Sequence, residues 1–238
     1  MTVFHDLLQV QEHDTAADRL RHRRDHLPEL AELRATEDEL ARLEATLAGV
    51  DATAVEAAST QRRLEGELSL LESKLTELNA KLYSGVVSAT RELQAMQSEA
   101  ATMRDRRAAL EDQVLEAMGE QETLDEQLAG LRGRRDELDA RGAALRAAVA
   151  EAQADVDREL AAELAARAEA ATAIPADVAA LYEQLRAHLG GVAAAPLVNG
   201  RCGGCHLALP ATEIDRMRKE PADSLVRCEQ CERILVRP

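Results

Sequence analysis

Four cysteines, Cys202 and Cys205 in CGGC and Cys228 and Cys231 in CEQC, lie in the last 37 positions of a 238-residue chain and are its only thiols. Two residues between thiolates let one tight turn aim both sulfurs at a single ion, with backbone N–H groups supporting them. Gly203 and Gly204 are expected to remove the steric cost of the first turn. With 22 residues between the pairs, the spacing lies close to a two-knuckle zinc pattern, slightly longer in the middle. The reading is one structural Zn2+ on Cys202, Cys205, Cys228 and Cys231, with an iron centre, a disulfide pair or free thiols as the alternatives. Four thiolates complete a tetrahedron, so no coordination place is left for activating water. His206, next to the first knuckle, reads as a polar neighbour, not a ligand.

These cysteines need a scaffold. Residues 196–238 make a segment of 43 residues, near the size at which burial alone rarely holds a fold, so the metal is expected to be the core. Leu197 and Val198 should flank the first knuckle, and Leu225, Val226, Ile234, Leu235 and Val236 should flank the second as strands. Between them LPATEIDRMRKE suits one short helix starting at Pro210.

Upstream the chain changes character. From Leu33 to Leu82 one heptad position holds Leu33, Leu40, Leu47, Ala54, Gln61, Leu68, Leu75 and Leu82. The other holds Thr36, Leu43, Val50, Ala57, Leu64, Leu71 and Leu78, so only Thr36 and Gln61 interrupt an apolar seam of period 3.5. The pattern stops at LYSGVVSATRE, where Gly85 suits a left-handed helix end and Ser88 or Thr90 can cap a new helix. A second, looser heptad run follows from Leu93 and Met96, carrying Arg107, Arg135 and Gly142 in its seam. The two runs predict an antiparallel hairpin reversing within 83–88. Each arm of ~80 residues would extend on the order of 120 Å. Layers are expected to pair residues whose numbers sum to about 171, such as Leu47 with Leu124, and Ala54 with Ala117 at a weakly packed level.

Before Leu33 a further amphipathic helix is expected, restarted at Pro28, with a basic cluster of Arg19, Arg21, Arg23 and Arg24. That cluster is read first as a solvated face paired with Asp155, Asp157 and Glu159, and second as a partner patch. A connecting helix runs from Pro175 to Gly190 and Gly191. The expected organisation is a coiled-coil hairpin over 1–172, a connecting helix and linker over 173–195, and a C4 zinc ribbon over 196–238. In fold class this is mainly α, a long antiparallel coiled-coil hairpin with a small C-terminal β-rich ribbon.

Composition narrows the function. Aromatic residues are 1% of the chain, charged residues 31%, and the formal charge is −15, so the body repels phosphate backbones and anionic membranes. No signal peptide or membrane span is expected, and the default address is the cytoplasm, where thiols stay reduced. No phosphate loop and no Ser-His or Cys-His arrangement can be placed in a pocket, which argues against an enzyme and a small-molecule substrate. Residues 196–238 carry seven basic and six acidic side chains; zinc on four thiolates brings the total to about −1. With no aromatic residue to stack on a base, nucleic-acid binding there would rest on Arg216, Arg218 and Lys219.

The order LYSGVVSATRELQAMQSE, then GGVAAAPLVNGRCGGCHLALP, then RCEQCERIL resembles the bacterial family that joins a coiled-coil hairpin to a C-terminal C4-type zinc ribbon. The opening LLQVQEHDTAADRL is similar to that family's first helix. The resemblance implies the four-cysteine zinc site residue by residue. Some members are reported to bind an alternative sigma factor or to act on flagellar transcripts, and many are called nucleic-acid-binding proteins; those partners do not carry over by motif. The expectation is a non-enzymatic zinc-binding adaptor that holds a protein partner, in gene regulation if it follows those members. Nucleic-acid binding through the ribbon is the alternative.

Overall fold

The structure, a computed structural model, describes residues 3–221 and 224–237; Asp223, counted above among the ribbon's acids, lies outside them. The chain divides into two compact units, Met1–Glu32 with Leu145–Pro238, and Leu33–Ala144. In order the elements are α1 (Val3–Asp25), α2 (Pro28–Tyr83), α3 (Thr90–Ala171), α4 (Ala176–His188), β1 (Ala194–Val198), β2 (Arg201–Cys202), α5 (Ala211–Lys219), β3 (Val226–Arg227) and β4 (Ile234–Val236). No helix among the described residues is long and apolar enough to cross a membrane.

In the second unit α2 and α3 form the expected antiparallel coiled-coil hairpin, because both carry a mainly apolar heptad seam. The register differs from expectation. Ala54 and Ala57 cluster with Leu124 and Leu128 beside Leu47 and Val50. Ala117 instead joins Leu64, Leu71 and Leu110. Layers such as Ala54 with Leu124, Val50 with Leu128, Leu64 with Val114 and Leu68 with Leu110 satisfy both groups; their numbers sum to 178, not about 171. Ion pairs flank this register, Arg134 to Glu39 at 2.9 Å and Arg132 to Asp51 at 3.4 Å. The reason is packing volume: Ala54 now faces Leu124 instead of Ala117, so a small side chain is filled in by a large one. The two clusters part where the seam glutamines Gln61 and Gln121 fall.

The first unit is built on a sheet of order β2-β1-β4-β3. Asn199 and Gly200, both at positive φ, make the two-residue turn of the β1–β2 hairpin, which pairs Leu197 with Cys202. β1 and β4 are parallel, Ala194 facing Ile234 and Pro196 facing Val236. Side chains alternate between faces: Ile234, Val236 and Ala194 enter one core with Phe4, Leu7 and Val10 of α1 and Tyr182 and Leu185 of α4. Leu235 and Ala195 enter another with Leu209, Met217, Cys202 and Cys228. So the metal is not the sole core of the ribbon, contrary to expectation: α1 and α4 cover one face of its sheet.

Polar residues tie this packing down. The buried stripe of α1 runs Phe4, Leu7, Val10, Gln11, Asp14, Ala17. Gln11 Oε1 accepts from the backbone N–H of Ala193 at 2.7 Å and of Ala194 at 3.2 Å, and its Nε2 donates to the Gly191 carbonyl at 2.9 Å. Asp14 accepts from the Tyr182 hydroxyl and lies 3.3 Å from Arg167 and 3.5 Å from Arg186.

Candidate metal centre

Each knuckle is a strand end that turns back on itself. In the first, His206 N–H donates to the Cys202 carbonyl at 2.8 Å and Cys202 N–H to the Leu207 carbonyl at 3.1 Å. In the second, Glu232 N–H donates to the Cys228 carbonyl at 2.8 Å and Cys228 N–H to the Arg233 carbonyl at 2.9 Å. The residue after the second cysteine is left-handed in both, His206 at φ 64 and Glu232 at φ 63. His206 is thus the turn residue of a knuckle.

The glycines serve a purpose other than the one expected. Neither Gly203 nor Gly204 has positive φ; both are sites of close approach. A Cβ on Gly203 would lie 2.9 Å from the Pro196 carbonyl oxygen, and one on Gly204 would meet the Arg233 side chain and Ala195.

The four sulfurs lie within 4.8 Å of one another, with Cys202 to Cys231 at 3.7 Å and Cys205 to Cys228 at 4.0 Å. A tetrahedron of Zn–S bonds of about 2.3 Å has edges of about 3.8 Å, so the donor set fits one zinc ion. Cys202 and Cys228 are buried, Cys205 and Cys231 partly so, and none is in a disulfide. Gly204 N–H points at Cys202 Sγ at 3.3 Å. Burial pushes the Cys202 thiol up, against the backbone N–H groups of Cys205 and Gly204. Burial likewise pushes Cys228 up to about 12. Cys231 is also raised by burial, but hydrogen bonds from the Arg233 backbone and guanidinium outweigh this and bring it to about 7. Closing a zinc site on these thiols therefore releases protons.

Arg233 is the supporting residue that sequence reasoning missed. Besides Cys231 it reaches the carbonyls of Val192 at 2.9 Å and Leu189 at 3.2 Å, joining the second knuckle to the end of α4. Arg237 does the same for α5, donating to the carbonyls of Met217 and Glu220. No motif marks either residue, since each acts on carbonyls that only the fold brings near.

The basic residues fall in two places. On α1, Arg23 pairs with Glu159 at 3.0 Å, Arg24 with Asp157 at 2.7 Å and Arg21 with Asp18 at 2.7 Å. Asp155 pairs with Arg158 instead of the cluster. Arg19 is exposed and has no ion pair among the described residues. On the last turn of α5, Arg216 pairs with Glu229 at 3.1 Å, Arg218 lies 3.9 Å from Asp215, and Lys219 is exposed.

Residues 10–190 match the family model of the CT398-like coiled coil hairpin domain, and residues 201–235 match that of the C4-type zinc ribbon domain. Two Mycobacterium tuberculosis sequences, from strains CDC 1551 and H37Rv and both called uncharacterized proteins, are 29% identical over 231 residues, 97% of this chain and 94% of each relative. A solved Mycobacterium smegmatis structure aligns over 100% of both chains with a TM-score of 0.88 and 26% identity. The structure of CT398 from Chlamydia trachomatis aligns over 99% of this chain and 98% of its own, with a TM-score of 0.57 and 22% identity.

Proposed function

The chain belongs to the CT398-like coiled coil hairpin domain family, and from that premise we propose that it is a non-enzymatic, zinc-binding adaptor that holds a protein partner through its coiled coil and ribbon. In this reading residues 1–172 are the hairpin, 173–195 the connector and 196–238 the ribbon, and the protein works in the cytoplasm. The observation that carries the proposal is the donor set itself. Cys202, Cys205, Cys228 and Cys231 fill a tetrahedron, so zinc there cross-links two turns and leaves no place for a reacting water. A role in gene regulation rests on the family resemblance alone.

Nucleic-acid binding through the ribbon is the second reading, and pairing weighs against it. Arg216 and Arg218 already have acidic neighbours, which leaves Lys219 as the cation available at the end of α5. In a chain of charge −15 that is a small attraction. Binding of the purified protein to mixed RNA and duplex DNA across a salt series separates the two readings. The adaptor reading expects no appreciable binding at physiological salt and a protein partner whose capture from native extract survives nuclease. Micromolar affinity with a steep salt slope would reverse the ranking.

A further inference from the structure

The reversal between α2 and α3 spends apolar surface where folding gains nothing from it. Val86 is 84% exposed and Tyr83 78%, higher than any other large hydrophobic among the described residues. A connection that served only to reverse the chain would be met by small polar residues. The chain's other tyrosine, Tyr182, is buried with its hydroxyl bonded to Asp14. The Tyr83 hydroxyl, by contrast, has no hydrogen-bond partner among the described residues.

Charge sets the same segment apart. Between Glu77 and Glu92 there is no acidic residue, and Lys81 and Arg91 are the only charges, in a chain that carries −15 overall. Neither cation forms an ion pair among the described residues, so both are open to carboxylates of a partner. The turn is also held in shape. Gly85 supplies φ 73, Ser84 Oγ donates to the Lys81 carbonyl at 2.8 Å, and the Ala89 carbonyl accepts the N–H groups of Glu92 and Leu93 at 3.0 Å.

Resting on the adaptor reading, we propose that this reversal is the partner-contact site, with Tyr83 and Val86 inserting into an apolar notch rimmed by carboxylates on an acidic protein, and Lys81 and Arg91 meeting the rim. An aromatic anchor in a desolvated pocket, ringed by polar contacts, is the arrangement that concentrates binding energy in a small area. Complementary charge adds steering and register. A lipid surface is the weaker fit, because two apolar side chains and two cations give little anchoring and the acidic body opposes anionic headgroups. One ring is also too few for a single-stranded nucleic acid.

The test places a photo-crosslinking amino acid at position 86 of the full-length protein in its native cells, and at the exposed Val55 as a control. The expected result is a discrete protein adduct from position 86 and none from position 55, with the crosslinked partner peptide lying in an Asp- and Glu-rich surface. With that partner purified, the Tyr83→Ser/Val86→Ser double variant should bind at least about tenfold more weakly. Lys81→Glu/Arg91→Glu should weaken binding too and flatten its salt dependence. Zinc content and helicity of both variants should stay unchanged. Adducts to lipid or nucleic acid at position 86, or tip-dependent binding to vesicles of 30% phosphatidylglycerol in phosphatidylcholine, would overturn the proposal. A partner that binds both variants as tightly as the parent would overturn the tip as its site while leaving the adaptor reading standing. The absence of any nuclease-resistant protein partner would overturn both.

Discussion

The Tyr182 hydroxyl donates a 2.8 Å hydrogen bond to Asp14 Oδ2, joining α4 to α1 at a carboxylate that is only 4% exposed. Arg167 of α3 and Arg186 of α4 balance the charge, so one aspartate gathers three helices. Removing the aspartate leaves the buried Tyr182 hydroxyl without its acceptor and takes one of two carboxylates from each guanidinium, Arg167 keeping Glu183 and Arg186 keeping Asp18. Asp14→Ala should therefore cost about 3 kcal/mol, whereas Tyr182→Phe, which leaves the ion pairs intact, should cost about 1 kcal/mol. Urea unfolding followed by circular dichroism ranks the two; equal losses would contradict this assignment.

The same hydrogen bond has a pH signature. Burial, the Asp14 bond and the Asp14 charge all raise the Tyr182 phenol above the ordinary tyrosine range. A folded-state value above the unfolded one of about 10 means the stabilisation is whole below that pH and is lost as pH rises beyond it. In a Tyr83→Phe background, which leaves a single tyrosine in a chain without tryptophan, phenolate absorbance should appear only together with alkaline unfolding. Phenolate absorbance appearing while the protein is still folded would show that Tyr182 is not held as described.

Cys228→Ser should abolish stoichiometric zinc, because three thiolates and a hydroxyl make a far poorer site. Since β4 presents Ile234 and Val236 to α1, loss of the knuckle should also loosen the first helix. Hydrogen exchange is expected to rise over 4–17 and 194–237 and stay unchanged over 40–80 and 95–140. Protection retained in α1 would mean that the metal and the α1 packing are independent.

Gly203 and His206 should respond in opposite directions. Gly203→Ala forces a Cβ against the Pro196 carbonyl and should cost about 2 kcal/mol. His206→Gly removes a side chain from left-handed backbone and should gain up to about 1 kcal/mol without altering zinc content. Thermal unfolding of the zinc-loaded protein reads both; loss of zinc from His206→Gly would instead make the imidazole a ligand.

In the seam, Gln121 Nε2 donates to Asp125 at 3.2 Å while its Oε1 is buried with no hydrogen-bond partner among the described residues. Gln61→Leu/Gln121→Leu should fuse the two apolar clusters and stabilise the hairpin by about 2 kcal/mol. A lower urea midpoint would show that the glutamines are needed to hold the register.

The elements whose signals are local were legible in the chain. The reversal at Gly85, the restart at Pro28 and the helix after Pro210 each follow from φ restrictions of one or two residues. The hairpin register was not legible, because a slide of one heptad changes which apolar residues meet without changing which face they occupy. The supporting arginines were hidden for a related reason. Arg233 and Arg237 act on carbonyls that come near only after the chain has closed on itself.

By itself the sequence determined the ligand set and the two-stranded seam, since both are repeats of fixed spacing: two residues between thiols, and a period of seven along each helix. The tertiary structure alone decided that the ribbon's sheet is shared. Ile234, Leu235 and Val236 alternate between two cores, and an alternating strand of three residues does not say what will cover its second face. That was settled by α1, more than 200 residues earlier, because burying its apolar stripe on the sheet and satisfying Gln11 and Asp14 there removes more surface from water than leaving either exposed.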